Sequence, residues 1–221
     1  MAWCSDIDWN ATGSWMQAWA GFANAVVVGG AAWFGSKRLN DWLRERQVER
    51  KMAVGERLLT IAYKALDAFK GIRSPGSSGG ETSAAQEKLQ SGSSYNEASD
   101  REKRRMESAQ IIIDRIFANK RLWDDYWENL PLCRAYYGND IEESFRIIWQ
   151  KRASVYSAAI TYGSLRDGGD RATEVGFEEV FWEYLAQARN KPDPVNVDLD
   201  TMVQRLEAEI LPLLGSSTSN V

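Results

Sequence analysis

The side chains that most often carry enzyme chemistry are scarce in this chain. Its 221 residues include no histidine, which excludes Ser-His-Asp and Cys-His nucleophiles and histidine-based zinc and di-iron sites. No glycine-rich loop ends in the Lys-Ser or Lys-Thr pair that binds phosphate. Cys4 and Cys133 lack the spacing of metal ligands, and we expect Cys133 to be a small buried residue rather than a nucleophile.

Two acidic clusters are the remaining candidates for chemistry. Clustered carboxylates can bind a metal ion or act as acid and base. On helices, however, such clusters are more often solvated, or lie in a first turn where they complement the helix dipole. We therefore expect no catalytic residue, no metal site and no cofactor. The clusters are Asp124, Asp125 and Glu128, and Asp140, Glu142 and Glu143.

A long uncharged segment near the N-terminus predicts a membrane-spanning helix. No Asp, Glu, Lys or Arg occurs from Asn10 to Ser36, and about 20 helical residues cross the hydrocarbon of a bilayer. Tryptophans at both ends of a span are typical of the two membrane–water interfaces. We predict a short extracytoplasmic N-terminus at 1–14 and a transmembrane helix at 15–36. The tryptophans are Trp9, Trp15 and Trp19 at one end and Trp33 and Trp42 at the other.

Basic residues follow this segment and none precedes it. This asymmetry predicts an N-terminus outside the cell and a cytoplasmic remainder, in a cell membrane that we expect to be a bacterial inner membrane. Cations in this position also contact anionic lipid headgroups, at about 1 kcal/mol each, or serve only to fix the topology. The residues are Lys37, Arg38, Arg44, Arg46, Arg50 and Lys51.

Two other interpretations of the apolar segment remain open. It has the composition of a buried helix in a soluble bundle, because glycines and two amides dilute its hydrophobicity. Ala23-Asn24-Ala25 also resembles a signal-peptide cleavage site, although the acidic N-terminus lacks the positive charge of a signal peptide.

One side of the segment carries small and polar residues at helical spacing. Small residues four apart let two helices approach closely, and amides inside a membrane usually face a partner. We predict an oligomerisation face, with an anchor that has no partner as the alternative. The residues are Gln17, Gly21, Asn24, Ala25 and Gly29.

The rest of the chain predicts an all-α fold, because apolar residues recur at helical spacing and no segment alternates like a strand. We expect a basic juxtamembrane helix at 37–70 and a flexible loop at 71–98, where 12 of the 28 residues are Gly or Ser. A helical bundle follows at 99–214, with a polar tail at 215–221. Its first helix starts with Ser99 or Asp100 as cap, runs to about Glu128 and ends before Pro131.

The bundle is acidic and rich in aromatic residues. Residues 71–221 carry 18 Lys or Arg and 24 Asp or Glu, which argues against a nucleic-acid surface. Aromatic residues dominate both cores and interaction surfaces. We expect most of them in the core and predict Tyr136, Tyr137 and Tyr162 as an exposed partner surface.

These features predict a non-enzymatic, single-pass membrane protein whose cytoplasmic bundle is an interaction or scaffold module. Its partners would be membrane lipid and either another protein or a second copy of the chain. Two alternatives belong to other classes. One is an oligomerising effector that permeabilises the bilayer, and the other is a soluble enzyme with a metal ion at the acidic clusters.

Overall fold

A computed structural model describes residues 9–167, 170–183 and 192–215. These residues form helices and no strand, which confirms the predicted all-α class. The helices are α1 (Trp9–Ile72), α2 (Gly79–Gln90), α3 (Ser93–Asn96), α4 (Asp100–Ala118), α5 (Lys120–Tyr137), α6 (Asn139–Ser164), α7 (Arg171–Phe181) and α8 (Pro194–Gly215). The chain divides into two units, Met1–Arg50 and Lys51–Val221, and each is described by itself.

The second unit contains a core to which most helices contribute. Its largest fully buried apolar side chains include Leu58 and Phe69 from α1, Tyr126 from α5, Phe145 from α6 and Leu199 from α8. Burying one such side chain stabilises a fold by roughly 1.5–3 kcal/mol. The C-terminal part of α1 therefore belongs to the bundle, whereas the sequence prediction had assigned 37–70 to a separate juxtamembrane helix.

A buried arginine joins the end of α1 to α7 and α8. Arg73 has no exposed surface, and its guanidinium donates to both carboxylate oxygens of Asp193, at 3.1 and 2.7 Å. It also donates to the carbonyl of Val180 at 2.8 Å and to Asn196 at 3.1 Å. Asp193 in turn accepts from the backbone N–H groups of Val195 and Asn196 at the start of α8.

The segment 71–98 is not the loop that its composition predicted, because it forms α2 and α3. Ser78 and Glu81 make a reciprocal capping box at the start of α2, and Ala85 of that helix is fully buried. Arg115 of α4 binds Glu81 at 2.8 Å and the carbonyl of Ser74 at 2.7 Å. These contacts compensate the loss of chain entropy that the Gly/Ser content would otherwise make unfavourable.

Another boundary differs from the prediction. The helix expected from Ser99 to Glu128 breaks at Asn119, and α5 continues through Pro131 to Tyr137. The predicted cap at Ser99 is confirmed, because its hydroxyl accepts from the backbone N–H of Glu102 in a second capping box. Gly138 joins α5 to α6 with φ +84°, a conformation that favours glycine.

No helix in the described ranges is both long and apolar enough to cross a membrane. The predicted transmembrane helix at 15–36 is therefore not supported. Gly21, Gly29, Gly30 and the amide of Asn24 lower the mean hydropathy of this part of α1.

We predict that Gly55→Ala destabilises the bundle by about 1–3 kcal/mol, the usual cost of overpacking a core. A Cβ at Gly55 would collide with the Tyr137 hydroxyl and lie 2.7 Å from Cγ2 of the buried Ile210. Gly71→Ala on the same helix is the matched control, because nothing lies within 4 Å of its Cβ position. Chemical denaturation of both variants measures the difference, and equal stability would contradict the packing described here.

We also predict that Glu81→Gln removes part of the acid sensitivity of folding. The hydrogen bond from Arg115 and that from the Ser78 backbone lower the pKa of Glu81 from 4.5 to about 2. A carboxyl with a depressed folded pKa contributes stability above its unfolded pKa and loses it as the pH falls. The wild type should therefore lose this contribution between pH 4.5 and about 2.

Denaturation curves over that pH interval test the prediction about Glu81. The glutamine variant keeps a capping side chain, so the comparison isolates the charge. Glu87→Gln, at an exposed position of the same helix, is the matched control for the loss of one negative charge. Since Glu81 is partly exposed, solvent screening keeps the effect small, but identical slopes for all three proteins would contradict it.

Candidate interaction surfaces

The N-terminal part of α1 exposes large apolar side chains in every direction. Val26, Val27 and Val28 are 57%, 67% and 61% exposed, and successive helical residues point about 100° apart. No single face of the helix is therefore covered within its own unit. Other exposed apolar residues along this stretch are Trp15, Trp19, Phe22, Trp33, Phe34, Leu39, Trp42, Leu43 and Val48.

Basic side chains interleave with aromatic rings where the uncharged segment ends. The Lys37 ammonium lies 5.8 Å from the ring centre of Trp33, and the Arg46 guanidinium lies 5.4 Å from that of Trp42. Exposed cation–π contacts of this kind stabilise by about 0.5–1 kcal/mol. Both contacts lie within the first unit, and their cations follow the uncharged segment.

The predicted oligomerisation face is open where the structure describes it. Asn24 is exposed, and nothing lies within 4 Å of the Cβ position of Gly21 or Gly29. The side chains of Gln17 and Ala25 lie outside the described part. Close approach of a second helix at Gly21 and Gly29 is thus sterically allowed, and oligomerisation stays a prediction.

The predicted partner surface is only partly exposed. Tyr162 is 8% exposed, and its hydroxyl donates to Glu178 at 2.8 Å, so its assignment to an exposed patch is wrong. Tyr136 and Tyr137 are half-buried against the core. The hydroxyl of Tyr137 donates to the Lys51 carbonyl at 2.7 Å. Packing of α6 on α7 explains the burial of Tyr162.

A different surface of the bundle is rich in aromatic side chains, of which some are exposed and others half-buried. We call it the Arg152 surface. On α6, four of its members recur at helical spacing and therefore share a face, and neighbours from α4 and α5 extend that face. The set comprises Phe117, Trp127, Trp149, Arg152, Tyr156 and Ile160; Phe117, Trp127 and Ile160 are exposed and the others are half-buried.

Ring contacts connect the members of the Arg152 surface. Trp127 meets Trp149 edge-on at 4.8 Å, and the Arg152 guanidinium lies 4.4 Å from the ring centre of Trp149. Phe117 meets Tyr156 edge-on at 6.1 Å. The second ring beneath Arg152 is Trp123, at 5.4 Å. The aromatic richness of the bundle was visible in the sequence, and the spacing 149, 152, 156 and 160 was the signal that could have identified this face.

Members of both acidic clusters form ion pairs, and two acids of the first cluster line a cleft. Asp124 pairs with Lys120. Glu142 is 4% exposed and binds Arg146, with Arg134 at 3.6 Å. Asp125 and Glu128 line a cleft of about 530 Å³ together with Arg57 and Lys64 of α1.

Neither metal chemistry nor thiol chemistry is supported where side chains are described. Within that part of the chain, no group of three or more His, Cys, Asp or Glu residues could hold a metal ion. Cys133 has no exposed surface, as expected, and burial raises the pKa of its thiol to about 12. A thiol with this pKa is protonated at neutral pH and is a poor nucleophile. Cys4 lies outside the described residues.

We predict that millimolar Mg²⁺, Mn²⁺ or Ca²⁺ leaves the melting temperature of the full-length protein unchanged. A ligand that binds only the folded state would raise the melting temperature, but cations already neutralise Asp124 and Glu142. Differential scanning fluorimetry with Na⁺ at matched ionic strength is the control measurement. Saturable stabilisation by one of the divalent ions, absent in Glu142→Gln, would restore the metal-enzyme hypothesis.

A comparison with family models, with curated proteins and with solved structures finds no match to this chain.

Proposed function

We propose that this protein is a non-enzymatic interaction module that associates with a membrane through residues 15–36 and binds a protein partner through its helical bundle. The exposure of Val26, Val27 and Val28, which face about 200° of the circumference of α1, is the observation that carries the proposal. Apolar side chains in water are unfavourable by roughly 1.5–3 kcal/mol each relative to burial, and lipid hydrocarbon would surround a helix on all sides.

The charge pattern supports lipid as the environment. Residues 10–36 carry no charge, and Lys37 and Arg38 follow directly. Anionic headgroups attract such cations at about 1 kcal/mol per residue. A water-soluble partner that covered every side of the helix would have to enclose it.

A second candidate function is an oligomeric effector that permeabilises the bilayer. The open Cβ positions at Gly21 and Gly29 and the exposed amide of Asn24 favour it. Small residues allow close helix contact, and an interhelical amide bond adds about 0.6–2 kcal/mol. Dye release distinguishes this candidate from a passive anchor.

We predict that the full-length protein floats with vesicles and that Val27→Glu weakens this association at least about tenfold. A carboxylate at the centre of a membrane helix costs about 2.5–3.5 kcal/mol. Val197→Glu is the matched control, since Val197 is also exposed but belongs to the bundle. Neither substitution removes a buried side chain, so both variants should fold.

Vesicle composition provides a second arm of the same flotation experiment. Substitution of Lys37, Arg38 and Arg44 by glutamine removes three positive charges. It should reduce flotation more with vesicles that contain phosphatidylglycerol than with vesicles of pure phosphatidylcholine. Resistance to a carbonate wash would show that the helix is inserted rather than adsorbed. Release of an entrapped dye that Asn24→Leu abolishes would favour the effector, and absence of flotation with either vesicle would refute both candidates.

A further inference from the structure

We infer that the Arg152 surface is the docking site for a protein segment that carries a carboxylate between apolar side chains. This inference names the partner chemistry of the proposed interaction module and rests on that proposal. It begins with Arg152, whose guanidinium lies against Trp149 and Trp123. The surrounding surface is apolar, and the cation has no carboxylate beside it.

Arg152 is a cation without a protein acceptor. Its Nε atom is buried and makes no hydrogen bond, and no acidic side chain of the described part pairs with it. Burial lowers the pKa of Arg152, which reflects a charge removed from water without a neutralising group. A guanidinium held in this way is unfavourable until its charge is neutralised, and a partner's carboxylate at its remaining nitrogens would neutralise it.

The salt bridges of the described residues include none to Arg152, and several acids of the neighbouring helices pair with lysines instead. Asp114 of α4 pairs with Lys88 at 2.7 Å. Asp124 of α5 pairs with Lys120, and Asp198 of α8 pairs with Lys151. Arg152 is therefore a positive site to which the described residues supply no carboxylate, and charge complementarity assigns that carboxylate to the partner.

Apolar side chains flank the cation on two sides. Trp127 and Trp149 lie on one side, and Tyr156, Phe117 and Ile160 continue the surface on the other. Trp, Tyr and Arg are the residues most enriched at the energetic centres of protein interfaces. A segment with apolar residues on both sides of a Glu or Asp would cover the rings and place its carboxylate on Arg152.

A displayed library of random peptides provides a defined probe for this surface. Selection on the immobilised full-length protein should enrich peptides with an acidic residue flanked by apolar ones. In calorimetric titrations, Arg152→Gln should weaken binding of an enriched peptide at least tenfold, as should Phe117→Ser. Arg104→Gln is the matched control, because this exposed arginine lies 13 residues before Phe117 on α4, about 20 Å away.

A double-mutant cycle separates the ion pair from loss of fold. Changing the peptide carboxylate to the amide should weaken binding to wild type but not further weaken binding to Arg152→Gln. Since Phe117 is 55% exposed, Phe117→Ser should fold even if Arg152→Gln does not.

Three outcomes would overturn the inference: no enriched peptide, enriched peptides without a carboxylate, or equal affinity for wild type and Phe117→Ser. Self-association of the full chain that Phe117→Ser abolishes would also overturn it, since a second copy would then be the occupant. Vesicle flotation of the same variants should be unchanged. Failure of the membrane proposal therefore appears in flotation, and failure of this inference appears in peptide binding.

Discussion

A buried charge pair at the end of α1 connects α7 and α8 to the bundle. Arg73 has no exposed surface, and it binds Asp193, Asn196 and two carbonyl groups near the end of α7. Removing one partner of such a pair costs about 3–5 kcal/mol, because the other charge is left buried. That is a large fraction of the 5–15 kcal/mol by which typical proteins are stable. The pair also determines where α8 begins, since Asp193 caps its first turn.

Local sequence signals were sufficient where a helix end is determined locally. The Ser99 cap required only the Ser-x-x-Glu pattern that Glu102 completes. The α4–α5 break could not be read in the same way. There, the indole N–H of Trp123 donates to the carbonyl of Ile116, and the Asn119 amide donates to that of Arg115. These bonds satisfy carbonyls in the last turn of α4, which ends at Ala118, 13 residues before Pro131.

Composition alone misled the prediction for 71–98. Its Gly and Ser content is typical of a flexible segment, but Arg115, 34 residues after Glu81, supplies the partner that orders it. The same limit applies to the surface prediction. Tyr162 and Tyr156 are indistinguishable by composition, and only the packing of α7 on α6 buries the first and leaves the second half-exposed. The sequence analysis did not identify Arg152. Only the three-dimensional positions of the acidic side chains show that this arginine lies against two tryptophan rings without a carboxylate partner.

The N-terminal unit differs from the bundle, because its apolar side chains are exposed in the described part of the chain. In the bundle, apolar residues such as Leu58 are buried by other helices. In residues 15–48, apolar and aromatic side chains are exposed, and this contrast is the basis of the proposal that residues 15–36 associate with a membrane. Hydrogen–deuterium exchange of the full-length protein, with and without phosphatidylglycerol vesicles, tests this claim most directly. The account predicts that vesicles slow exchange in residues 15–36 and leave residues 54–72 unchanged. Equal exchange in 15–36 with and without vesicles would contradict it.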